Sequence, residues 1–302
     1  MVNLTENMRV KNACLQGSTE EKDYAEYLLR VGNGEEPTVP IPGEDQMIKI
    51  PEDMKSKSTS LYAFTQEIFP GLVSRHQKAM EDCLIDNEWD KWLMERAIIC
   101  PTNDLCEDIN KHLVDSLPGQ PMVYHSTDKI INQTEAFDYP QEFLWKISTG
   151  SMPPHTLVLK KGAPIMLLRN LDKENGFVNG ARFVVQAMTS NIIYARLATE
   201  GPHKGKTILI PRILFHPKDR TLPFEMERKQ FPVRLCFAMT ANKVQGQTLN
   251  KVGVNLTKDF FSHGQLYVAL SRSGSRKNVS IFKPKEDPYP NLMRNVVFRE
   301  IM

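Results

Sequence analysis

Residues 97–100, Ala-Ile-Ile-Cys, form a short apolar run that ends at Pro101. Such a run between polar segments is typical of a strand that is buried on both faces of a parallel sheet. A polar turn follows, and residues 105–117 have the spacing of a helix, with Asn103 or Asp104 as a natural N-terminal cap. Because strand, polar loop and capped helix form the unit of an α/β sheet, the sequence predicts that fold class.

Other segments extend the α/β pattern. Apolar residues recur at helical spacing from Tyr24 to Val31, and Gly32 and Gly34 follow. Helices are predicted at residues 20–31, 60–68, 71–84 and 264–270, and strands at residues 235–238 and 251–254.

The middle of the chain is different. From residue 157 onward, β-rich runs alternate with Gly, Asn and Pro, which indicates three to five short strands in a small β-barrel or meander. We therefore expect the first part of an α/β lobe, with helical segments, in residues 1–150. The inserted small β-barrel is expected in residues 151–227, and the remainder of the lobe in residues 228–302.

The charge is unevenly distributed along the chain. The net charge of the whole protein is only +2, but residues 201–302 contain eighteen Lys and Arg against seven Asp and Glu. A basic third on a near-neutral protein is a plausible binding surface for a polyanion, and a solvated basic face is the alternative.

Gly205-Lys206-Thr207 has the letters that end a phosphate-binding loop. That loop also needs a glycine separated by four residues from its Gly-Lys, and Glu200 occupies that position. The loop must lead from a strand into a helix, whereas Ile208, Leu209 and Ile210 favour a strand. We interpret the segment as a hairpin turn, and the sequence has no Asp-Glu dipeptide for an acidic magnesium motif.

Several classes of protein are disfavoured. The five cysteines are odd in number and include no Cys-x-x-Cys pair, so we expect free thiols and no metal site. The sequence has no apolar run long enough to span a membrane and no pattern of a secretory signal. We expect an intracellular protein.

Three further stretches contain residues suited to binding or catalysis: LTENMR at residues 4–9, FAMTANKVQGQTL at residues 237–249, and GQLYVALSRS at residues 264–273. The second is an apolar strand that leads into a loop of amides, hydroxyls and one cation, which are good partners for a phosphodiester. The third places Arg272 just after an apolar helical turn, where a rigid guanidinium can reach a phosphate. A surface salt bridge is the alternative for Arg272.

These stretches, together with IICPTNDLCEDIN and KKGAPIMLLRN, resemble the PIF-type DNA helicases of superfamily 1B, and most closely the helicase portion of Helitron transposon proteins. The resemblance runs nearly end to end. It implies an α/β fold in which a second RecA-like helicase lobe contains an inserted small β-barrel of Src-homology-3-like type.

The resemblance also implies roles for individual residues. Arg9 and Arg272 would be catalytic and contact the γ-phosphate of ATP held by another lobe, supported by Gln265 and Tyr267. The implied DNA contacts are Thr102, Asn103, Lys243, Gln245, Gly246, Gln247 and Thr248. Where the family has Ser, this chain has Val244, so we expect one hydroxyl contact to DNA to be lost.

The function implied is that of the C-terminal half of an ATP-dependent 5′-to-3′ DNA helicase in repair, recombination, telomere maintenance or Helitron transposition, in the nucleus. ATP and Mg²⁺ would be bound mainly by a first RecA-like lobe that we expect to be missing before Leu4. We expect no cofactor and no ATPase activity in this chain alone. Single-stranded DNA and the N-terminal ATPase lobe are the expected partners. The alternatives are an ATP-independent single-stranded DNA-binding module and a transposon remnant without function.

Overall fold

The structure, a computed structural model, describes residues 19–81, 87–131, 139–147, 152–217, 222 and 224–298. In chain order its α-helices are α1 Thr19–Asn33, α2 Leu61–Ile68, α3 Leu72–Glu81, α4 Asn87–Met94, α5 Asn103–Ser116, α6 Gln141–Lys146, α7 Ala241–Val244 and α8 Gln265–Leu270. The strands are β1 Met47–Lys49, β2 Arg96–Cys100, β3 Met122–His125, β4 Thr127–Ile130, β5 Thr156–Leu159, β6 Pro164–Leu167, β7 Arg182–Met188, β8 Ile192–Leu197, β9 Thr207–Pro211, β10 Ile213–Phe215, β11 Met226–Gln230, β12 Val233–Leu235, β13 Ala238–Thr240, β14 Lys251–Asn255, β15 Val279–Phe282 and β16 Leu292–Arg294.

The chain divides into two compact units. Unit 1 comprises Met1–Gly71, Glu95–Ile109 and Ala238–Met302, and unit 2 comprises Leu72–Met94 and Asn110–Phe237. The boundary at residues 109 and 110 falls inside α5. The predicted insertion, residues 151–227, lies within unit 2.

Unit 1 contains a four-stranded parallel sheet with the order β13-β2-β14-β15. From Ala97 to Cys100, β2 is completely buried, as expected for a central strand of an α/β sheet. The predicted α/β class with a parallel sheet is therefore confirmed.

Helix α2 packs unusually close to this sheet. The Ser60 hydroxyl caps the helix by accepting a hydrogen bond from the Ala63 amide (3.2 Å). At Gly253 in β14, a Cβ atom would lie 2.7 Å from Ile68 Cγ1 and 2.9 Å from Phe64 Cζ. Only glycine permits this approach, so Gly253 sets the distance between helix and sheet.

Unit 2 is mainly antiparallel. Its largest sheet has the order β12-β6-β7-β8-β9, and smaller sheets pair β10-β11-β4 and β3-β5. The core of the largest sheet includes Ile165, Phe183, Val185 and Ile193, all completely buried. The β-rich composition predicted from residue 157 onward is thus confirmed, whereas closure into a barrel of Src-homology-3-like type stays a proposal.

The hairpin interpretation of Gly205-Lys206-Thr207 is confirmed. The segment turns between β8 and β9, and the Gly205 amide donates to the Leu197 carbonyl (2.8 Å). Lys206 Nζ donates to the Asn175 side chain (2.8 Å) instead of standing at the start of a helix.

Some element predictions need correction. The strand predicted at residues 235–238 is wrong, because β12 ends at Leu235 in unit 2 and β13 begins at Ala238 in unit 1. Cys236 and Phe237, which connect the two strands along the chain, are fully buried, so a continuous apolar run conceals a change of sheet. Helix α5 begins at Asn103, so neither Asn103 nor Asp104 is the cap before the helix that we predicted. Helix α1 continues through Gly32 to Asn33.

The cysteine prediction can be checked at three positions. Cys100, Cys106 and Cys236 are buried free thiols, while Cys14 and Cys83 lie outside the described residues. No helix in the described part of the chain is long and apolar enough to cross a membrane.

Candidate nucleic-acid interface

Two of the predicted DNA-contacting segments leave the parallel sheet of unit 1 side by side. Strands β13 and β2 are parallel neighbours, with Thr240 opposite Cys100. Thr102 and Asn103 follow β2, and residues 241–249 follow β13. Because parallel strands present their carboxyl ends at one edge, the sheet brings the two segments together.

The segment after β13 combines a short helix with an exposed loop. Gln245, Gly246 and Thr248 are exposed, and Lys243 is half-buried in α7. Gly246 has a φ of +85°, a left-handed conformation that favours glycine. The Gln247 side chain donates through Nε2 to the Lys243 carbonyl (3.3 Å) and so holds the loop against its helix.

Val244 faces the interior. The residue is completely buried, so its side chain packs in the core of unit 1. At the position where we expected the loss of a hydroxyl contact to DNA, valine contributes apolar packing.

Arg272 links this loop to α8. Its guanidinium donates from Nε to the Val268 carbonyl (2.7 Å) and from Nη1 to the Gln247 carbonyl (3.3 Å). A third hydrogen bond runs from Nη2 to the Ser271 hydroxyl (2.7 Å), and the Arg272 carbonyl accepts from the Leu249 amide (2.9 Å). Arg272 is only 6% exposed. A contact with a γ-phosphate would require it to exchange some of these hydrogen bonds.

Gln265 and Tyr267 lie on the same helix. Gln265 is buried, and its Oε1 accepts from the Ser262 amide (3.4 Å), ahead of the start of α8. The Tyr267 ring packs against Gly32 of α1, where a Cβ atom would lie 3.1 Å from Tyr267 Cδ2. Both residues therefore position α8, and Arg272 follows from its end.

Thr102 and Asn103 are half-buried at the carboxyl end of β2. The Thr102 carbonyl accepts from the Cys106 amide (3.4 Å) at the start of α5. The Thr102 hydroxyl is shielded from solvent and has no hydrogen-bond partner in the described part of the chain. Arg9 lies outside the described residues.

Sequence reasoning missed a third segment at this edge. Strand β14 runs parallel to β2 and ends at Asn255, which is completely buried. Its Oδ1 accepts from both the Thr257 amide (3.0 Å) and the Thr257 hydroxyl (2.6 Å). The turn leaves Thr257 and Lys258 exposed. Polar residues directly after the strand predicted at residues 251–254 were the signal that could have revealed it.

Two features bear on ATP and Mg²⁺ in the part of the chain that the structure describes. The Gly-Lys-Thr segment lies in a hairpin and offers no helix N-terminus to a phosphate. No group of three or more His, Cys, Asp or Glu in the described ranges could hold a metal ion.

Comparisons with known proteins agree with the resemblance that the sequence motifs indicated. Residues 142–188 match the family model for the 2B domain of the DNA helicase Pif1. The ATP-dependent DNA helicase PIF1 of Danio rerio is 31% identical over 192 residues, which are 62% of this chain and 27% of that protein. This chain is related to the PIF1-type DNA helicases. It spans about a quarter of the length of the curated relatives that it matches.

Solved structures of the PIF1 type share the fold. A structure of two coordinating Pif1 helicases, described as unwinding forked double-stranded DNA, has a TM-score of 0.51 and 23% identity, and covers 87% of this chain and 47% of its own. Pif1 helicase from Candida albicans has a TM-score of 0.50 and 22% identity, with coverage of 76% and 56%. At these identities the likeness establishes the fold alone.

Proposed function

We propose that this chain is the C-terminal half of an ATP-dependent 5′-to-3′ DNA helicase and carries the second RecA-like lobe. We further propose that the chain binds single-stranded DNA at the carboxyl edge of its parallel sheet. Unit 1 would be that lobe, and the β-rich part of unit 2 would be the inserted barrel. ATP and Mg²⁺ would be bound mainly by a first lobe. Action in the nucleus, in repair, recombination, telomere maintenance or Helitron transposition, belongs to the same proposal.

One observation carries the DNA-binding part of the proposal. The segment after β2 is far in sequence from the segments after β13 and β14, and parallel pairing places all three at one edge. Together they expose amides, hydroxyls and the cation of Lys258, with Lys243 half-buried beside them. Such groups bind phosphates without reading bases.

The loop is also held in shape before any ligand binds. Three hydrogen bonds fix Arg272 against the loop carbonyl and α8, and a fourth connects the Leu249 amide to the Arg272 carbonyl. A preformed loop loses little conformational freedom on binding. In a complete helicase the same contacts would link DNA at the loop to nucleotide at Arg272.

The test is binding of a fluorescein-labelled oligo-dT, measured by anisotropy at two salt concentrations. We expect weak binding that falls with salt by about 0.7 logarithmic units per decade for each neutralised phosphate. Lys243→Ala should reduce affinity and lower the salt slope by about one contact. Lys49→Ala is the matched control, because Lys49 is an exposed lysine of unit 1 on β1, outside the parallel sheet.

Equal effects of the two substitutions would mean that the basic residues form only a general solvated face. Absence of binding at low salt would reject the proposal. The ATP-independent binding module is the second candidate, favoured by the hairpin at Gly205-Lys206-Thr207. The two candidates differ in one measurable property: adding a separate ATPase lobe would leave the DNA binding of an ATP-independent module unchanged.

A further inference from the structure

Trp145 forms an exposed aromatic stack on the surface of unit 2. The residue is 42% exposed, although tryptophan gains much from burial. Its indole ring stacks on the His155 imidazole, with centroids 4.9 Å apart and planes 16° from parallel. His125, also exposed, lies beside His155, with ring centroids 5.5 Å apart and planes tilted by 34°. Because His155 stacks on one face of the indole, the exposed area belongs to the rest of the residue, which includes the opposite face of the ring.

A buried ion pair supports the helix that carries Trp145. Arg228 is completely buried and binds Asp128 through two hydrogen bonds, of 2.9 and 2.8 Å. The same guanidinium donates to the Leu144 carbonyl (2.8 Å) and to the Ile147 carbonyl (3.0 Å), on either side of Trp145 along the chain. Arg228 therefore fixes the backbone at the end of α6.

The other half of the ion pair fixes His155. Asp128 Oδ1 accepts from the Ser126 hydroxyl (2.7 Å), and Ser126 Oγ lies 2.8 Å from His155 Nδ1. The hydroxyl proton of Ser126 is used toward Asp128, so Nδ1 donates its N–H to Ser126. Burial lowers the pKa of His155, although the nearby carboxylate of Asp128 acts in the opposite direction.

This arrangement is not explained by stability alone. Replacing a buried ion pair with apolar side chains is often neutral or stabilising, so the pair is weak evidence of a stabilising role. Here the Arg228–Asp128 pair holds the backbone on either side of Trp145 and, through Ser126, the His155 ring that stacks on the indole. An aromatic ring fixed in this way is a preorganised platform for a flat ligand.

We propose that the open face of Trp145 stacks an unpaired base of single-stranded DNA, with Lys146 binding the adjoining phosphate. The inference rests on the proposed function and adds a base contact to it. Lys146 is exposed and follows Trp145 in the chain, and Arg212 Nη1 donates to the carbonyl of His125, whose ring lies beside His155. Aromatic stacking with flanking cations is how proteins hold single strands without sequence preference.

The test compares oligo-dT with an abasic oligonucleotide of equal length, which keeps the phosphates and lacks the bases. Wild-type protein should bind oligo-dT more tightly than the abasic strand. Trp145→Ala should weaken oligo-dT binding roughly 5- to 150-fold, the range for one base stack, and leave abasic binding nearly unchanged. Trp145→Phe keeps an aromatic ring and should retain most of the affinity.

Phe143→Ala is the matched control. Phe143 lies on the same helix and is 43% exposed, but its ring contacts Tyr139 and Phe224 instead of His155. The Phe143→Ala substitution should leave the preference for oligo-dT over the abasic strand unchanged. Thermal melting of each variant checks that α6 is folded.

The outcomes separate the two proposals. If wild type binds oligo-dT and the abasic strand equally well, the stacking is overturned while the phosphate interface stands, and a protein segment becomes the better occupant of Trp145. If Trp145→Ala weakens both strands equally, the stacking is also overturned. If neither strand binds at low salt, the proposed function itself fails.

Discussion

His76 is a buried histidine that should make unit 2 sensitive to acid. It is 1% exposed, and its Nε2 donates to the Lys161 carbonyl (2.8 Å). Burial, with smaller effects of Lys160 and Lys161, lowers its pKa below the ordinary value of about 6.5, although the hydrogen bond to Lys161 opposes the shift. The unfolded state therefore binds more protons. Stability is complete above the unfolded pKa and is lost as the pH falls through the folded pKa.

We expect the urea midpoint of the wild type to fall between pH 7.5 and pH 5. His76→Gln should lose part of this pH dependence, because glutamine does not titrate. His216→Gln is the control, since His216 is exposed. An unchanged pH dependence in His76→Gln would show that other groups, such as His155, cause the effect.

Lys160 stabilises the C-terminal end of α5. It is 8% exposed, and its Nζ donates to the Asp115 carbonyl (2.9 Å) and the Leu117 carbonyl (2.6 Å). A cation is favourable at a helix C-terminus, where carbonyls lack partners. Lys160→Met keeps the stem and removes the donors, so it should lower the free energy of unfolding by about 1–3 kcal/mol.

Chemical denaturation measures that effect, and the adjacent Lys161→Met is the matched control because Lys161 is exposed. Equal losses in the two variants would mean that the hydrogen bonds of Lys160 are not the cause.

At the scale of elements, Arg272 joins α8 to the loop after α7. Its planar guanidinium reaches the Val268 and Gln247 carbonyls together, whereas a lysine ammonium has no such fork. We expect Arg272→Ala and Arg272→Lys both to lower the free energy of unfolding, by about 1–3 kcal/mol, because the partly buried carbonyls lose their donor. Oligo-dT affinity should fall in parallel as the loop loosens.

Lys277→Ala serves as the control, because that lysine is exposed and its ion pair with Glu20 is on the surface. Full stability of Arg272→Lys would indicate that charge alone matters at this position, and would favour a role directed only at a phosphate.

At the scale of the whole molecule, the chain forms two compact units with different sheets. We expect the 302-residue chain to show no DNA-stimulated ATP hydrolysis. Magnesium-ATP needs amides and a lysine around its phosphates, and Lys206 lies in a hairpin. A coupled phosphate-release assay decides the point, with Lys206→Ala as the matched variant. Turnover that disappears in Lys206→Ala would contradict the hairpin interpretation.

The sequence by itself determined the local features of this protein. Apolar runs predicted β2 and β14, a helix was predicted at residues 60–68, where α2 lies, and the strand after Thr207 identified the hairpin. These features depend on neighbours a few residues apart, so periodicity and turn chemistry are sufficient to find them. The order of the motifs along the chain indicated the resemblance to PIF1-type helicases.

The tertiary structure decided what depends on distant partners. The run at residues 235–238 is uniformly apolar, so its pattern could not show that β12 and β13 belong to different sheets. Composition could not show that Arg272 is buried against Gln247, or that Val244 faces the core. The stack of Trp145 on His155 depends on Arg228, 83 positions after Trp145, because long-range strand pairing, and not local propensity, places β11 beside β4.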